Sequence, residues 1–307
     1  MVKVLVTPRS FANYAGLEVA GITVIRNPAG GILSKEQMQQ HIREADGVII
    51  GVDPLDADVL RAAPRLRFVS KYGVGTDNID LEYCKSHGIE VSITKNANSN
   101  AVADYAFALM LAAARRVSEI DASCRKGDWG KKPAVDVFGK KMGVLGLGAI
   151  GRGMVARAKG FGMAIYAYDA YRDDIYINNN NINFLPYEAV LRECDFLSLH
   201  LPLTGQTRHI INAANLRTAK KNLIIINTAR GALINEADLY EALRNGTILG
   251  AGVDVFENEP AHDSKLLALS NVVAGSHAAA STPGAVENMN NQAVENIVRG
   301  LRERGLL

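Results

Sequence analysis

Few features of this sequence point to a secreted or nucleic-acid-binding protein. Its 307 residues include only three cysteines, Cys84, Cys124 and Cys194, which are too scattered for a disulfide framework or a paired metal site and which fit a reducing compartment. The 34 Lys and Arg residues nearly balance the 32 Asp and Glu residues. The resulting net charge of +2 creates no field that would attract nucleic acid or an anionic membrane surface.

Long apolar runs are missing as well. The longest uncharged stretch, 266–286, contains polar residues throughout and could not span a bilayer. The N-terminus has neither the basic start nor the long apolar segment of a signal peptide. We therefore expect a cytoplasmic protein with no nucleic-acid or membrane partner.

Aromatic residues are scarce, at 6%, whereas 28 glycines are present. Small residues favour the close helix–strand packing of α/β folds over aromatic-rich β-sandwiches. With 48% apolar and 21% charged residues, the chain can bury a large core, which excludes disorder over most of its length. Its length is about twice that of a usual domain, so we expect two domains.

Short apolar runs alternate with amphipathic segments along most of the chain. Such alternation, with strands that lack a polar face, is typical of parallel sheets covered by helices on both sides. A first series predicts strands at 2–6, 48–51, 68–71 and 89–93, and helices near 34–45, 56–63 and 79–87. A second series predicts strands at 142–145, 164–168, 196–199, 223–227, 250–253 and 272–274, then a closing helix at 283–304. The asparagine-rich run 178–181 is interpreted as a surface loop.

One long helix is predicted at 99–123, between the two series. Its centre, 106–114, is apolar nearly all round, so it must be buried on more than one side. Two interpretations stay open at this point, a core helix and a subunit interface. The basic segment 115–141 is interpreted as a solvated connector, with an anion-binding or nucleic-acid patch as the alternative.

A glycine-rich turn at 146–151 is the clearest binding motif. It has the sequence Gly-Leu-Gly-Ala-Ile-Gly, follows a predicted strand and leads into a predicted helix. Gly146 permits the tight turn, Gly148 lets the backbone approach a pyrophosphate, and Gly151 allows close helix–strand packing. The first turn of the helix offers unpaired N–H groups and the positive end of its dipole to the phosphates. The pattern predicts a dinucleotide site.

The acidic residue that follows indicates which dinucleotide binds. The next predicted strand ends at Asp169, about 20 residues after the glycines, where a carboxylate accepts hydrogen bonds from the ribose hydroxyls. A carboxylate there repels a 2′-phosphate, so NAD is favoured over NADP, although Arg172 nearby weakens that preference. No Tyr has a Lys four residues later, which excludes the short-chain dehydrogenase pair, and the scattered Cys and His residues offer no zinc-ligand set.

Five motifs occur in order along the chain. They are Tyr72-Gly73-Val74-Gly75-Thr76-Asp77-Asn78-Ile79-Asp80, the glycine-rich turn, Asn227-Thr228-Ala229-Arg230-Gly231, Val253-Asp254-Val255-Phe256 with Glu259-Pro260, and Ser276-His277. Together they resemble the D-isomer-specific 2-hydroxyacid dehydrogenase family, and especially its phosphoglycerate dehydrogenase-like members. The resemblance implies an α/β fold of two doubly wound parallel-sheet domains, with a Rossmann NAD-binding domain (99–282) inserted in a flavodoxin-like, discontinuous substrate domain (1–98 plus 283–307).

The resemblance also assigns three catalytic residues, and the chemistry asks for the same side chains. Reducing a 2-oxo acid places negative charge on the carbonyl oxygen, so the site needs a proton donor and a cationic clamp. Arg230 follows a predicted strand and could grip the carboxylate and carbonyl together. His277 would be the acid, because imidazole titrates near neutrality, and Glu259 would orient the ring and keep it protonated. His200 also follows a predicted strand, and spacing alone does not choose between the two histidines.

Further roles follow from the resemblance alone. The substrate carboxylate would be received by the loop of Tyr72, Gly73, Val74 and Gly75, with Arg230. NAD would contact Val102, Gly146, Gly148, Ala149, Ile150, Gly151, Asp169, His200, Pro202, Thr207, Thr228, Ala229 and Asp254. Relatives form homodimers through the cofactor domain, so we expect a homodimer here.

The substrate is predicted from one short segment. Where phosphoglycerate dehydrogenases typically have Arg-Ser, this chain has Gly51-Val52-Asp53, and Asp53 would repel a phosphate. The prediction is a small unphosphorylated acid of the glyoxylate or hydroxypyruvate class. Phosphoglycerate dehydrogenase is the alternative, since Lys71, or Lys131 and Lys132 from a partner subunit, could compensate. A co-repressor-like protein that binds NAD without turnover is an alternative of another class.

Overall fold

The computed structural model describes every residue from Met1 to Leu307. The chain divides into two compact units, one formed by Met1–Asn98 with Ser281–Leu307 and the other by Ser99–Ala280. We call them the discontinuous unit and the continuous unit. The return to the discontinuous unit falls at Ser281, two residues before the boundary expected at 283.

The discontinuous unit is built on a five-stranded parallel sheet. Its strands are β1 (Lys3–Val6), β2 (Thr23–Arg26), β3 (Gly47–Ile50), β4 (Phe68–Lys71) and β5 (Glu90–Ile93). Its helices are α1 (Tyr14–Val19), α2 (Lys35–His41), α3 (Ala57–Arg61), α4 (Leu81–Ser86) and the closing helix, Pro283–Arg302. The strand order β2-β1-β3-β4-β5 is that of a flavodoxin-like sheet.

Burial explains why these segments form a sheet. Every residue of β3 and of β4 is buried, as expected for parallel strands covered on both faces. The closing helix covers one face: it begins with Thr282 as N-cap and Pro283 in its first turn, and it buries Ile297 and Leu301. At Gly300 the helix approaches so closely that a β-carbon would collide with the Phe68 ring.

The continuous unit contains a seven-stranded parallel sheet. Its strands are β6 (Lys141–Leu145), β7 (Ala164–Tyr168), β8 (Asn183–Phe184), β9 (Phe196–Leu199), β10 (Ile224–Asn227), β11 (Gly250–Val253) and β12 (Val272–Ala274). Its helices are α5 (Ser99–Arg115), α6 (Val117–Arg125), α7 (Ala149–Gly160), α8 (Asp174–Asn179), α9 (Tyr187–Glu193), α10 (Ala213–Leu216) and α11 (Glu236–Arg244). The order β12-β11-β10-β9-β6-β7-β8 is the Rossmann order with one further edge strand, so the predicted fold class is confirmed.

Two local predictions were wrong. The helix expected at 99–123 is two helices, because Arg116 adopts a left-handed conformation (φ 53°) that ends α5 before α6 begins. The asparagine run is not a loop throughout: α8 extends to Asn179, and Asn183 begins β8. The buried face of α5 includes Phe107 and Met110, in agreement with the core-helix interpretation.

No helix is both long enough and apolar enough to cross a membrane.

Candidate active site

The glycine-rich turn lies between β6 and α7, and its geometry requires glycine. Gly146 has φ +101°, and a β-carbon on Gly151 would collide with the carbonyl oxygen of Gly146. Gly148 is the N-cap of α7, where no side chain caps the helix, and no atom lies within 4 Å of the position of a β-carbon. The N–H groups at this helix start are therefore open to an anion, as a pyrophosphate requires.

Asp169 follows β7 and is fixed against this turn. Its Oδ2 accepts the N–H of Leu147 at 2.6 Å, and its Oδ1 accepts the N–H of Tyr171 at 2.9 Å. Each carboxylate oxygen has a second lone pair for a ribose hydroxyl. Arg172 donates to Asp174 at 2.6 Å, so its guanidinium is already paired with a carboxylate.

His200 and Thr228 present unpaired polar atoms at the ends of the neighbouring strands β9 and β10. The Nε2 of His200 lies 2.9 Å from Ser198 Oγ, while its Nδ1 is buried without a partner. The Thr228 hydroxyl is also buried and unpaired. Burial lowers the pKa of His200 to about 3, which favours a neutral ring at physiological pH.

Arg230 begins the short 3₁₀ turn Gly231–Leu233 that follows β10. Asn227 shapes this turn, because its Nδ2 donates to the Arg230 carbonyl at 2.8 Å and its Oδ1 accepts the Ala229 N–H at 3.1 Å. At Gly231 the backbone lies against that of Phe256, where a β-carbon would collide. The Arg230 turn is thereby packed on the loop that contains Glu259.

His277 and Glu259 are in the contact expected from the resemblance. His277 Nδ1 lies 2.8 Å from Glu259 Oε2, and Glu259 Oε1 accepts the N–H of Phe256 at 3.0 Å. Burial raises the pKa of Glu259, but the hydrogen bond and charge of His277, the Phe256 N–H and the charge of Arg230 together lower it below its ordinary value. The carboxylate is therefore ionised beside the ring. The His277 side chain is 41% exposed, so part of the ring is accessible from solvent.

Comparison with known proteins identifies the family. The family model for the D-isomer specific 2-hydroxyacid dehydrogenase, NAD binding domain, matches residues 107–279. A glyoxylate reductase of Korarchaeum cryptofilum is 41% identical over 273 residues, which span 86% of this chain and 82% of that protein. The chain belongs to the D-isomer specific 2-hydroxyacid dehydrogenase family. It is an NAD-dependent oxidoreductase that transfers a hydride between NAD(H) and a small 2-oxo or 2-hydroxy acid.

Two more relatives give the range of similarity. A D-3-phosphoglycerate dehydrogenase of Methanocaldococcus jannaschii is 40% identical over 88% of this chain but only 52% of its own length. The crystal structure of a glyoxylate reductase from Paecilomyes thermophila has a TM-score of 0.90 at 30% identity and covers 99% of this chain and 96% of that one.

Asp254 binds the backbone around His277, a role that was not predicted from the sequence. Its carboxylate is buried, its two oxygens accept the N–H groups of Ala278 (3.0 Å) and Ala279 (2.9 Å), and its carbonyl accepts the N–H of His277 at 2.7 Å. Burial raises the pKa of Asp254 and of Tyr105, which faces it. These bonds hold His277 at φ +56°. Only an acid after β11 was visible in the sequence, and its partners lie more than 20 residues away.

The remaining cofactor positions are also in the continuous unit. Val102 is buried in the first turns of α5, Ala149 and Ile150 begin α7, and Pro202 accepts a hydrogen bond from the Thr207 hydroxyl at 2.6 Å. They lie in the same fold unit as the glycine-rich turn. Their contacts with NAD stay predictions.

The predicted carboxylate loop lies in the discontinuous unit, directly after β4. Gly73 has φ +128° and donates its N–H to Thr94 Oγ1 at 2.8 Å, while Tyr72 is buried and Val74 is exposed. Gly75 is partly buried. Binding of a carboxylate by this loop stays a prediction.

Asp53 is not placed to repel a substrate phosphate, contrary to the expectation from the sequence. The Asp53 carboxylate is 2% exposed, accepts the Leu33 N–H at 2.8 Å and contacts the Thr7 hydroxyl, so it does not face solvent. The ammonium of Lys71 is likewise buried, and it donates to the Gly51 carbonyl and to Asn78 Oδ1 (2.9 Å). Neither charge is displayed on the surface, because both serve hydrogen bonds inside the fold.

Proposed function

We propose that this dehydrogenase reduces a small unphosphorylated 2-oxo acid of the glyoxylate or hydroxypyruvate class with NADH. The observation that carries the proposal is the ion pair between His277 and Glu259, packed beside the turn of Arg230. An ionised carboxylate on Nδ1 favours a protonated ring, whose Nε2–H can then be given to a carbonyl oxygen. The similarity to glyoxylate reductases supports the substrate class.

Each side chain has one task in the proposed mechanism. The Arg230 guanidinium binds the substrate carboxylate and the neighbouring carbonyl, which orients the carbonyl and stabilises charge on its oxygen. In the discontinuous unit, the Val74 and Gly75 N–H groups are the proposed carboxylate binders. His277 donates its Nε2 proton to the oxygen, and Glu259 keeps the ring oriented and charged. In oxidation, His277 takes the proton back.

The cofactor position is proposed from the groups that fit it. The open helix start at Gly148 would receive the pyrophosphate, Asp169 the ribose hydroxyls, and the unpaired atoms of His200 and Thr228 polar groups of the cofactor. Asp254 would lie near the carboxamide, and Val102 near the nicotinamide face. NAD bound there supplies or accepts the hydride. Arg172, paired with Asp174, is less available to a 2′-phosphate.

One observation favours keeping D-3-phosphoglycerate dehydrogenase as a second candidate. The buried orientation of Asp53 removes the repulsion that argued against a phosphate. The 40% identity to the Methanocaldococcus jannaschii enzyme points the same way. Steady-state kinetics with NADH separates the candidates. We expect higher kcat/KM for glyoxylate or hydroxypyruvate, and a far higher value for 3-phosphohydroxypyruvate would overturn the proposed substrate class.

His277→Ala tests the proposed acid. We expect a loss of turnover of about 10²–10⁴-fold, the usual contribution of general acid catalysis, with NADH affinity unchanged. His87→Ala is a matched control, because His87 is an exposed histidine stacked on Tyr83 in the discontinuous unit. A co-repressor-like binding protein would give negligible turnover in the wild type and no difference between the variants.

We also propose a cytoplasmic homodimer formed through the continuous unit. Trp129 is 82% and Phe138 75% exposed on the segment between α6 and β6, a placement that favours burial against a second copy. Light scattering should give twice the chain mass, and Trp129→Ser with Phe138→Ser should halve it. A wild-type monomer would contradict this assembly.

A further inference from the structure

A second histidine–glutamate pair, His209 with Glu257, lies beside the catalytic loops. His209 Nε2 is 2.9 Å from Glu257 Oε1, and the two side chains are 34% and 28% exposed. The Nε2 atom itself is buried and has no hydrogen bond of regular geometry. The two side chains are therefore in close polar contact without a regular hydrogen bond.

Glu257 anchors the loop that contains Glu259. Its Oε1 accepts the N–H of Glu236 at 3.0 Å, and its own N–H donates to Glu236 Oε2 at 3.2 Å. Glu236 is the first residue of α11, so the Glu257 carboxylate beside its N–H also interacts favourably with the positive end of the helix dipole. Ser264 donates its hydroxyl to the second Glu236 oxygen. Because Glu257 is two residues from Glu259, these bonds limit the movement of the Glu259 carboxylate.

His209 belongs to a different segment, which is bonded to the turn after Arg230. Its N–H donates to the Ala232 carbonyl at 2.8 Å, and the Ile211 N–H donates to the Leu233 carbonyl at 3.1 Å. His209 adopts φ +53°, which directs the chain into these bonds. The imidazole thus links the Glu259 loop to the segment behind Arg230.

We propose that His209 and Glu257 are positioning residues that keep Glu259 within hydrogen-bonding distance of His277. This inference rests on the proposed roles of Glu259 and His277. Without the contact between His209 and Glu257, the loop of 256–260 gains freedom, and His277 loses part of its contact with Glu259. Displacements of about 1 Å in catalytic groups can lower rates by about 10²-fold, so this pair can affect kcat without touching substrate.

Two mild substitutions test the proposal. Glu257→Gln removes the charge but keeps a carbonyl oxygen for the Glu236 N–H. His209→Asn removes the imidazole and tolerates positive φ, so it adds little backbone strain. The matched controls are Glu241→Gln, which removes a carboxylate paired with Arg244 at 2.7 Å on α11, and His87→Asn.

We expect both test variants to lower kcat about tenfold, with KM for the 2-oxo acid and the NADH dissociation constant changed less than twofold. The double variant should be little worse than either single one. The controls should match the wild type. Unchanged kcat in folded variants would overturn the proposal, as would equal losses in the controls.

A spectroscopic signature keeps this inference separable from the proposed function. The Nδ1 proton shared by His277 and Glu259 should give a low-field proton resonance that needs no substrate. We expect it in the wild type and the controls, and weakened or absent in Glu257→Gln, His209→Asn and Glu259→Gln. Its loss in a protein without turnover would support the positioning role while refuting the reaction, whereas its persistence in both test variants would refute the positioning role.

Discussion

Glu259→Gln isolates the electrostatic part of the proposed catalytic pair. The substitution preserves the size of the side chain but replaces an ionised oxygen 2.8 Å from His277 Nδ1 with a neutral amide. The pair is partly exposed, at 41% for His277 and 32% for Glu259. Its contribution therefore lies between an exposed ion pair, about 0.2–1 kcal/mol, and a sheltered hydrogen bond to a charged group, about 1.5–3 kcal/mol. A middle value of about 1.4 kcal/mol corresponds to about a tenfold change in rate.

Loss of this contact acts on proton donation to the carbonyl oxygen. We expect kcat/KM for the 2-oxo acid to be about tenfold lower in Glu259→Gln, with NADH affinity unchanged. Initial rates of NADH oxidation measure this loss, and Glu241→Gln serves as the control. A wild-type kcat/KM would refute the assignment of Glu259 as the partner that orients His277.

The same pair makes the free energy of unfolding depend on pH, and the effect lies on the acid side. The pKa of Glu259 is lowered in the fold, so its stabilisation is present above the ordinary pKa of a glutamate and is lost as pH falls through the lowered value. Urea unfolding of the wild type should therefore show an acid-side loss that Glu259→Gln lacks. Equal slopes in the two proteins would contradict the ion pair.

Three further predictions concern the rest of the molecule. Asp169→Ala removes the expected ribose acceptor and the hydrogen bond to the Leu147 N–H, so the NADH dissociation constant from fluorescence titration should rise about tenfold, about 1.4 kcal/mol. The preference for NADH over NADPH should also narrow, and an unchanged preference would contradict the site. Gly300→Ala should lower the free energy of unfolding by about 1–3 kcal/mol because the new methyl group meets the Phe68 ring, whereas Gly284→Ala, with open space in the same helix, should not. Burial raises the pKa of Cys84 to about 11 and that of Cys194 to about 12, so Ellman's reagent at pH 8 should modify only the partly exposed Cys124 in the native protein and all three thiols after unfolding.

The central strands could be predicted from the sequence because their apolar composition indicates burial. Strands such as β3 and β10 are buried at every position and are mostly apolar, as expected for parallel strands covered on both faces. The edge strands β2 and β8 were missed, since their residues are partly exposed and β8 has only two of them. The break between α5 and α6 at Arg116 was also missed, because an arginine gives no sign in the sequence of a left-handed conformation.

Some parts of the candidate site could likewise be predicted from the sequence, and others could not. The glycine-rich turn and Asp169 are local features, and the sequence predicted their arrangement. The choice between His200 and His277 could not be made from spacing, because it depends on burial that distant segments create. The orientation of Asp53 is likewise set by Leu33 and Thr7, from other segments of the chain.

Transfer of a labelled hydride tests the central claim most directly. The protein is supplied with hydroxypyruvate and with NADH that contains deuterium at either position of C4, and the product is analysed by mass spectrometry and chiral chromatography. We expect D-glycerate with one deuterium at C2 from one of the two labelled cofactors. Unlabelled product from both, the L-isomer, or no product from this or any other 2-oxo acid would contradict the reaction proposed for this site.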